Sequence, residues 1–151
     1  MRYSPSSRYL AASLVLGVSV QGLAAPSLTV QSSAGASSLA LDGTGSTSLH
    51  IVKVADLSLS TSAPTGLTVW ITSGSLTKDG GTSVAFQVAL VDHNAAPPSA
   101  STFTTASGVP YLFATAAATA VAKDLYIKYM PGSLQDPGAY VASIDIDVVD
   151  N

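Results

Sequence analysis

The chain has 151 residues, of which 47% are hydrophobic and 10% charged; the nine acidic residues are all Asp, four Lys and two Arg are the only bases, and Cys is absent. This length predicts one domain with a core large enough to fold without a disulfide or a structural metal. A chain this poor in charge is not a disordered acidic tail, and its acidic balance makes it a poor candidate for binding the phosphates of nucleic acids.

The first 24 residues have the organisation of a secretory signal peptide. Two Arg precede an apolar run from Leu10 to Val20, and small residues follow at Gly22 and Ala24. The apolar run is too short to span a bilayer as a helix, so a retained signal anchor is the less favoured alternative. We predict that residues 1–24 are a signal peptide, cleaved after Ala24, and that residues 25–151 form a single β-sandwich domain.

The predicted mature chain is more distinctive in composition than the whole sequence. It carries four Lys, nine Asp and no Arg, Glu or Cys, for a formal net charge of −5. Without Arg there is no bidentate recognition of phosphate, so nucleic acid is not an expected partner. No later segment is apolar enough to span a membrane. We predict a secreted product, located in the periplasm, outside the cell or on the cell surface.

Alternation of apolar and other residues with a period of two predicts β-strands along the mature chain. Between Ser48 and Ser60 the apolar phase changes twice, which indicates bulges or two shorter strands. The other alternating runs are 67–72, 84–90, 125–129 and 140–148. Turn clusters rich in Gly, Pro and Asp separate the runs, at 42–45, 63–66, 78–81 and 131–133. This pattern, with no helical period, predicts an all-β sandwich of seven to nine strands.

Two segments depart from the alternating pattern. Residues 92–110 include the adjacent Pro97 and Pro98 and are rich in Ser and Thr. They are interpreted as a solvated connection, a ragged edge strand around 102–104, or a binding loop. The Ala-rich residues 114–122 predict either a strand of small residues or a single helical turn.

The residues of the chain do not form a recognisable catalytic set. His50 lies in a strand pattern and His93 follows Asp92, but there is no Gly-x-Ser-x-Gly motif, no pair of His at ligand spacing and no Cys. A secreted hydrolase using His50 or His93 is therefore a distant alternative. We predict that the protein is not an enzyme and needs no cofactor.

Three aspartates near the C-terminus are candidate calcium ligands. Asp145 and Asp147 share one face of a predicted strand, and Asp150 lies just beyond them. Calcium requires more oxygen ligands than these three side chains supply. The favoured alternative is that these aspartates keep the solvent face of the strand soluble and discourage pairing between sheet edges.

A possible binding surface is predicted at Trp70 and His93. Trp70 is out of phase with its apolar neighbours Val69 and Ile71, so it is expected to face away from the main apolar side of its sheet. An outward Trp on a sheet can stack on a sugar, meet a partner subunit or close one end of the core. A glycan is therefore one possible ligand of this surface.

The segment from Asp136 to Ala142 has the form Asp-x-Gly-x-Tyr-x-small and leads into an alternating strand. It resembles the tyrosine corner of Greek-key sandwiches, in which a Tyr hydroxyl bonds back to the backbone just upstream. The resemblance implies structural roles for Asp136, Gly138 and Tyr140 and an immunoglobulin-like topology.

Three features of the mature chain resemble exported pilin-like sandwich proteins, the group of spore coat protein U and fimbrial subunits. These features are the strand entry at 58–69, the strand at 124–129, and the final Pro-Gly-x-Tyr strand. The resemblance implies an immunoglobulin-like Greek-key β-sandwich and assembly through a donor strand that completes a neighbour's sheet. The chain lacks the cysteine pair of many of those proteins. Its mature N-terminus offers Leu28 and Val30 as donor residues, although an ordinary strand of the same domain explains them equally well.

The sequence therefore predicts a non-enzymatic, exported structural or adhesive protein of the bacterial cell surface, with a subunit of a pilus, fibre or coat as one form of that function. The expected partners are further copies of the chain or other surface proteins. The alternative is a secreted β-sandwich module that binds a carbohydrate or calcium.

Overall fold

The computed structural model describes residues 12–21, 25–41 and 47–151. They form nine β-strands and two short 3-10 helices, at Ala34–Ser37 and Ala100–Thr102. The strands are β1 (Ala12–Gln21), β2 (Ser27–Ser32), β3 (His50–Thr61), β4 (Leu67–Thr72), β5 (Ser75–Leu76), β6 (Val84–Asp92), β7 (Pro110–Ala114), β8 (Thr119–Tyr129) and β9 (Tyr140–Asp150). The predicted all-β class is confirmed. The predicted cleavage site at Ala24 and the predicted turn at 42–45 lie outside the described residues.

The strands form two sheets that pack face to face as a β-sandwich. One sheet has the order β1-β9-β4-β7 and the other has the order β2-β3-β8-β6-β5. The pairing of β1 with β9 is parallel, whereas the other strand pairs of the two sheets are antiparallel. The strand β1 lies within the predicted leader, so the leader sequence supplies one edge of the four-stranded sheet.

The main hydrophobic core lies between the two sheets and is built from alternate residues of their strands. In β9, Ile144, Ile146 and Val148 are fully buried, while Asp145 and Asp147 are exposed. The predicted apolar face of β6 is also buried: Val84, Phe86, Val88 and Leu90. The period of two in the sequence therefore reports which face of each strand meets the core.

The predicted change of phase between 48 and 60 is a β-bulge within one long strand, β3. The register of β3 against β8 shifts between Lys53 and Ala55. Val54 and Ala55 are both buried, which is possible only because the extra residue resets the alternation. Lys53 and Asp56 are three positions apart, which would place them on opposite faces of a regular strand, and the bulge places both on the outer face of the sheet.

Residues 92–110 form a mostly exposed connection with no strand around 102–104, so the edge-strand alternative was wrong. They cross the outer face of the five-stranded sheet and include the 3-10 helix Ala100–Thr102. The buried ring of Phe103 packs with Ala89 and Tyr126 in a second, smaller hydrophobic cluster. The amide of Gln87 donates hydrogen bonds to two carbonyls of the segment, those of Phe103 and Thr105.

The Ala-rich residues 114–122 form no helical turn, and the predicted strand is present only at residues 119–122, the start of β8. Ala114 ends β7, and β8 begins at Thr119, so the small residues between them turn the chain from one sheet to the other. Gly66 packs against this turn with a φ of 85°, where a Cβ would lie 2.2 Å from the carbonyl oxygen of Thr115. Small residues fit here because the turn before β4 passes very close to Thr115 and Ala117.

Candidate functional site

The predicted tyrosine corner is present. The buried Tyr140 hydroxyl donates a hydrogen bond of 3.1 Å to the carbonyl of Asp136, four residues upstream. The same oxygen accepts a 2.7 Å hydrogen bond from the amide of Gln135, whose Nε2 also donates to the carbonyl of Thr82. The corner therefore connects the start of β9 to the segment between β5 and β6.

Asp136 and Gly138 shape this corner, as predicted. The Asp136 carboxylate accepts a 2.6 Å hydrogen bond from the backbone N–H of Thr82, and this bond lowers the pKa of Asp136 below its ordinary value. Gly138 has a φ of 135°, and a Cβ there would lie 2.6 Å from Cε of Lys78. Both residues have structural roles.

The edge of β9 that β1 covers is the most unusual feature of the sandwich. The two strands run parallel over ten residues, from the pair Ala12 and Tyr140 to the pair Gln21 and Val149. On its other edge β9 is bound to β4. Without β1, β9 would therefore be the edge strand of its sheet, and its core-facing side chains would lie at the rim of the sandwich.

The directions of the β9 backbone groups follow from two contacts outside the strand pairs. Val141 exchanges two 2.8 Å backbone hydrogen bonds with Thr77, and the N–H of Asn151 donates to the carbonyl of Gly66. Thr77 and Gly66 both lie on the β4 side, so odd-numbered residues direct their backbone groups to that side. The even-numbered residues direct theirs toward β1: Tyr140, Ala142, Ile144, Ile146 and Val148.

The calcium candidates are not brought together. Asp145 and Asp147 lie exposed on the outer face of β9. Asp150 is half-buried and accepts a hydrogen bond from the hydroxyl of Thr61, on the other sheet. The alternation in β9 sends Asp150 away from the other two aspartates, so the three side chains do not form one ligand set.

Trp70 faces outward, as its phase predicts. It is 36% exposed, and it lies in register with Leu112 of β7 on one side and Asp147 of β9 on the other. Leu112 is also exposed. The outer face of the four-stranded sheet therefore presents an apolar strip beside two carboxylates, those of Asp145 and Asp147. His93 lies on the other sheet, so the structure does not join it to Trp70.

His93 instead belongs to a cluster of charged side chains on the outer face of the five-stranded sheet. The cluster consists of Lys53 and Asp56 from β3, His93 from the turn after β6, and Asp124 from β8. Nδ1 of His93 lies 2.7 Å from Oδ1 of Asp124 and 3.2 Å from Oδ1 of Asp56. Nζ of Lys53 lies 2.7 Å from the same oxygen of Asp56 and 3.0 Å from that of Asp124. Nitrogen donors from Lys53 and His93 therefore alternate with the two carboxylates around a closed ring.

Asp124 is the buried member of the cluster, with a side chain only 2% exposed. Burial raises the pKa of its carboxyl, but hydrogen bonds from His93, from Lys53 and from the backbone N–H of Asn94 outweigh burial and hold the pKa below its ordinary value. The hydrogen bond to Asp56 raises the pKa of Lys53, against the opposing effect of burial. The network favours the charged forms of both groups.

The three nearby donors Asp56, His93 and Asp124 have atoms within 4.8 Å of one another, which is close enough to hold a metal ion. However, the ammonium of Lys53 already contacts both carboxylates. A divalent cation would have to displace this lysine and would meet its charge. The arrangement is best suited to holding the turn after β6 against β3 and β8. The backbone N–H of His93 contributes to the same role, because it donates a 3.2 Å hydrogen bond to the carbonyl of Ala122.

The sequence indicated only one member of this cluster, His93. Asp56 and Asp124 each interrupt an apolar run that becomes a central strand, and that interruption was the available signal. His50, the other histidine considered for catalysis, stacks on the ring of Tyr129 with 5.1 Å between centroids. His50 is the first residue of β3, and its stacking on Tyr129 gives it a packing role.

Within the described part of the chain, no helix is long and apolar enough to cross a membrane. Comparison with protein-family models and with curated proteins finds no match to this chain.

Proposed function

We propose that the protein is a non-enzymatic, exported structural or adhesive component of the cell surface, and that it associates with further copies of itself through the edge of β9. The observation that carries the proposal is the position of β1. This strand lies inside the predicted signal peptide and covers the whole β9 edge. Cleavage after Ala24 would remove it.

An uncovered β9 would be a strong template for another strand. β9 would lose its partner strand over ten residues. The backbone N–H and C=O groups of its even-numbered residues would then form hydrogen bonds with water or with another chain. Beneath them lie the fully buried Ile144, Ile146 and Val148. Soluble proteins usually protect such long edges, so an edge that export leaves open favours assembly by strand addition.

The test is the assembly state of purified residues 25–151. We expect oligomers whose size grows with concentration in light scattering and polymers in negative-stain microscopy. Ala142→Pro removes a backbone N–H that faces the β1 side and is expected to abolish assembly. Ala142→Ser keeps that N–H and is the matched control. A mature chain that stays monomeric at high concentration would contradict the proposal.

A second variant tests the same edge in case Ala142→Pro does not fold. Val141 is exposed on the outer face of β9, and its backbone groups are bonded to Thr77, so Val141→Lys leaves the fold contacts in place. A lysine on an edge strand opposes pairing between edges. We expect weaker assembly with an unchanged near-ultraviolet circular dichroism spectrum.

A second candidate function is carbohydrate binding by the outer face of the four-stranded sheet. Trp70 is the observation that favours it, because its exposed ring lies beside Asp147, whose oxygens can accept hydrogen bonds from sugar hydroxyls. Binding to a glycan array that is lost in Trp70→Ala and kept in Leu112→Ser would support a stacking site. Equal loss in both variants would indicate a general apolar contact instead.

A further inference from the structure

We infer that residues 12–21 have a second role beyond targeting: in the unprocessed chain they form the strand that closes the β9 edge, so that the precursor cannot assemble until this strand is removed. The inference rests on the proposed function and names the occupant of the edge before cleavage. The partner that replaces the leader must likewise be a strand with apolar residues at alternate positions.

The register between β1 and β9 supports this closing role. The pairing is continuous over ten residues with no bulge. The partners of the core-facing residues of β9 are apolar throughout: Leu14 with Ala142, Leu16 with Ile144, Val18 with Ile146 and Val20 with Val148. The apolar phase of the leader sequence therefore matches the apolar phase of β9.

The odd-numbered residues of β1 also suit an edge strand, because most of them are small or polar. The partners of Val141, Asp145, Asp147 and Val149 are Ser13, Gly17, Ser19 and Gln21. A signal peptide needs an apolar run but not an alternation with small and polar residues. Alternation of this kind is the sequence requirement of a strand with one buried face. Only Val15, opposite Ser143, departs from it.

The free edge of β9 can hold only one strand at a time. β9 already pairs antiparallel with β4, and β1 adds on the opposite edge in the parallel sense. A strand supplied by a neighbouring copy must use the same even-numbered backbone groups that β1 uses. The leader and the neighbour's strand therefore compete for one edge, and the leader has the advantage of being in the same chain.

The experiment uses the unprocessed full chain, made by cell-free synthesis without membranes. The chain has no Cys, so two engineered cysteines report a single pair. Ser13→Cys with Val141→Cys tests the parallel register, and Ser13→Cys with Val149→Cys is the matched control. Positions 141 and 149 are about 26 Å apart along the strand at about 3.3 Å per residue, so one cysteine cannot reach both.

We expect the first pair to crosslink on mild oxidation and the second to remain reduced. The inference would be overturned if the second pair crosslinked. It would also be overturned if neither pair crosslinked in a chain with a native near-ultraviolet spectrum. The full chain should also remain monomeric at concentrations where residues 25–151 assemble. Assembly of the folded full chain at the same concentration would overturn the inference as well.

A synthetic peptide separates this inference from the proposed function. Residues 12–21 with two added C-terminal lysines should raise the melting temperature of residues 25–151 as the peptide concentration increases. A peptide of the same composition in scrambled order should not. If the peptide stabilises a mature chain that never assembles, closure of the β9 edge by the leader holds, while the proposed function and the block on assembly fail. If the mature chain assembles but the leader peptide has no effect, the inference fails alone.

Discussion

Nδ1 of His93 lies 2.7 Å from a carboxylate oxygen of Asp124, and this contact fastens the turn after β6 to the middle strand of the five-stranded sheet. Asn94, the next residue, has a φ of 62° and donates its backbone N–H to the other oxygen of Asp124. One buried carboxylate therefore holds two consecutive residues of the turn. The path of residues 92–110 across the sheet begins at this point.

The contribution of Asp124 can be measured with Asp124→Asn. The substitution keeps the shape of the side chain but removes the charge that Lys53 and His93 contact, so we expect the free energy of unfolding to fall by about 2 kcal/mol. Chemical denaturation provides the measurement. Asp92→Asn is the control, because its ion pair with Lys123 involves a side chain that is 82% exposed, and it should cost less than about 0.5 kcal/mol. Equal effects of the two variants would contradict a special role for Asp124.

The same carboxylate should make stability depend on pH in acid. Since folding lowers the pKa of Asp124, its contribution is present above about pH 4, the ordinary pKa of Asp, and is lost as the pH falls through the lower pKa of the folded state. The difference in melting temperature between the wild type and Asp124→Asn should therefore be largest near neutrality. We expect it to shrink as the pH is lowered from 4 toward 2. A difference that does not change over this range would show that the carboxylate acts through shape alone.

The tyrosine corner should stabilise the fold through a single hydroxyl group. Tyr140→Phe removes the donor to the Asp136 carbonyl and the acceptor for Gln135, so we expect a loss of about 1–2 kcal/mol. Thermal unfolding followed by circular dichroism is a sufficient measurement. Tyr111→Phe, at a half-buried ring of β7 that packs on the same core, is the control and should have a smaller effect. A neutral Tyr140→Phe would mean that the ring packing alone forms the corner.

Phe103 should determine whether residues 92–110 stay on the sheet. Its buried ring packs against Tyr126 and Ala89, so Phe103→Ala should lower the free energy of unfolding by about 3 kcal/mol. Limited proteolysis should then cut within 92–110 before any other part of residues 47–151. Thr102→Ala, at the exposed neighbouring position, is the control. Unchanged protection of this segment in Phe103→Ala would show that the bonds from Gln87 hold it without the ring.

The strand faces could be predicted because alternation records burial directly. The runs at 84–90 and 140–148 keep one phase throughout, and their apolar sides are those that the core covers. The change of phase in β3 was visible for the same reason, since a bulge leaves two adjacent residues buried. The tyrosine corner was predictable because its hydrogen bond connects residues only four positions apart.

Other features depend on which distant residues meet. Phe103 gave no local signal of burial, because the surface it covers is made by β6 and β8. The Ala-rich segment was ambiguous because propensity does not reveal where a chain turns between sheets. Lys53, Asp56, His93 and Asp124 come from three separate elements, so their ring exists only after β3, β6 and β8 have paired.

The sequence by itself determined the all-β class, the inward faces of the principal strands and the local corner at Tyr140, because each depends on short-range periodicity or contacts within a few residues. The tertiary structure alone decided the closure of the charged ring, the path of residues 92–110 and the parallel placement of residues 12–21 against β9. Pairing between strands far apart in sequence is chosen by the burial of whole faces and the matching of backbone groups. No local pattern specifies which partner supplies them.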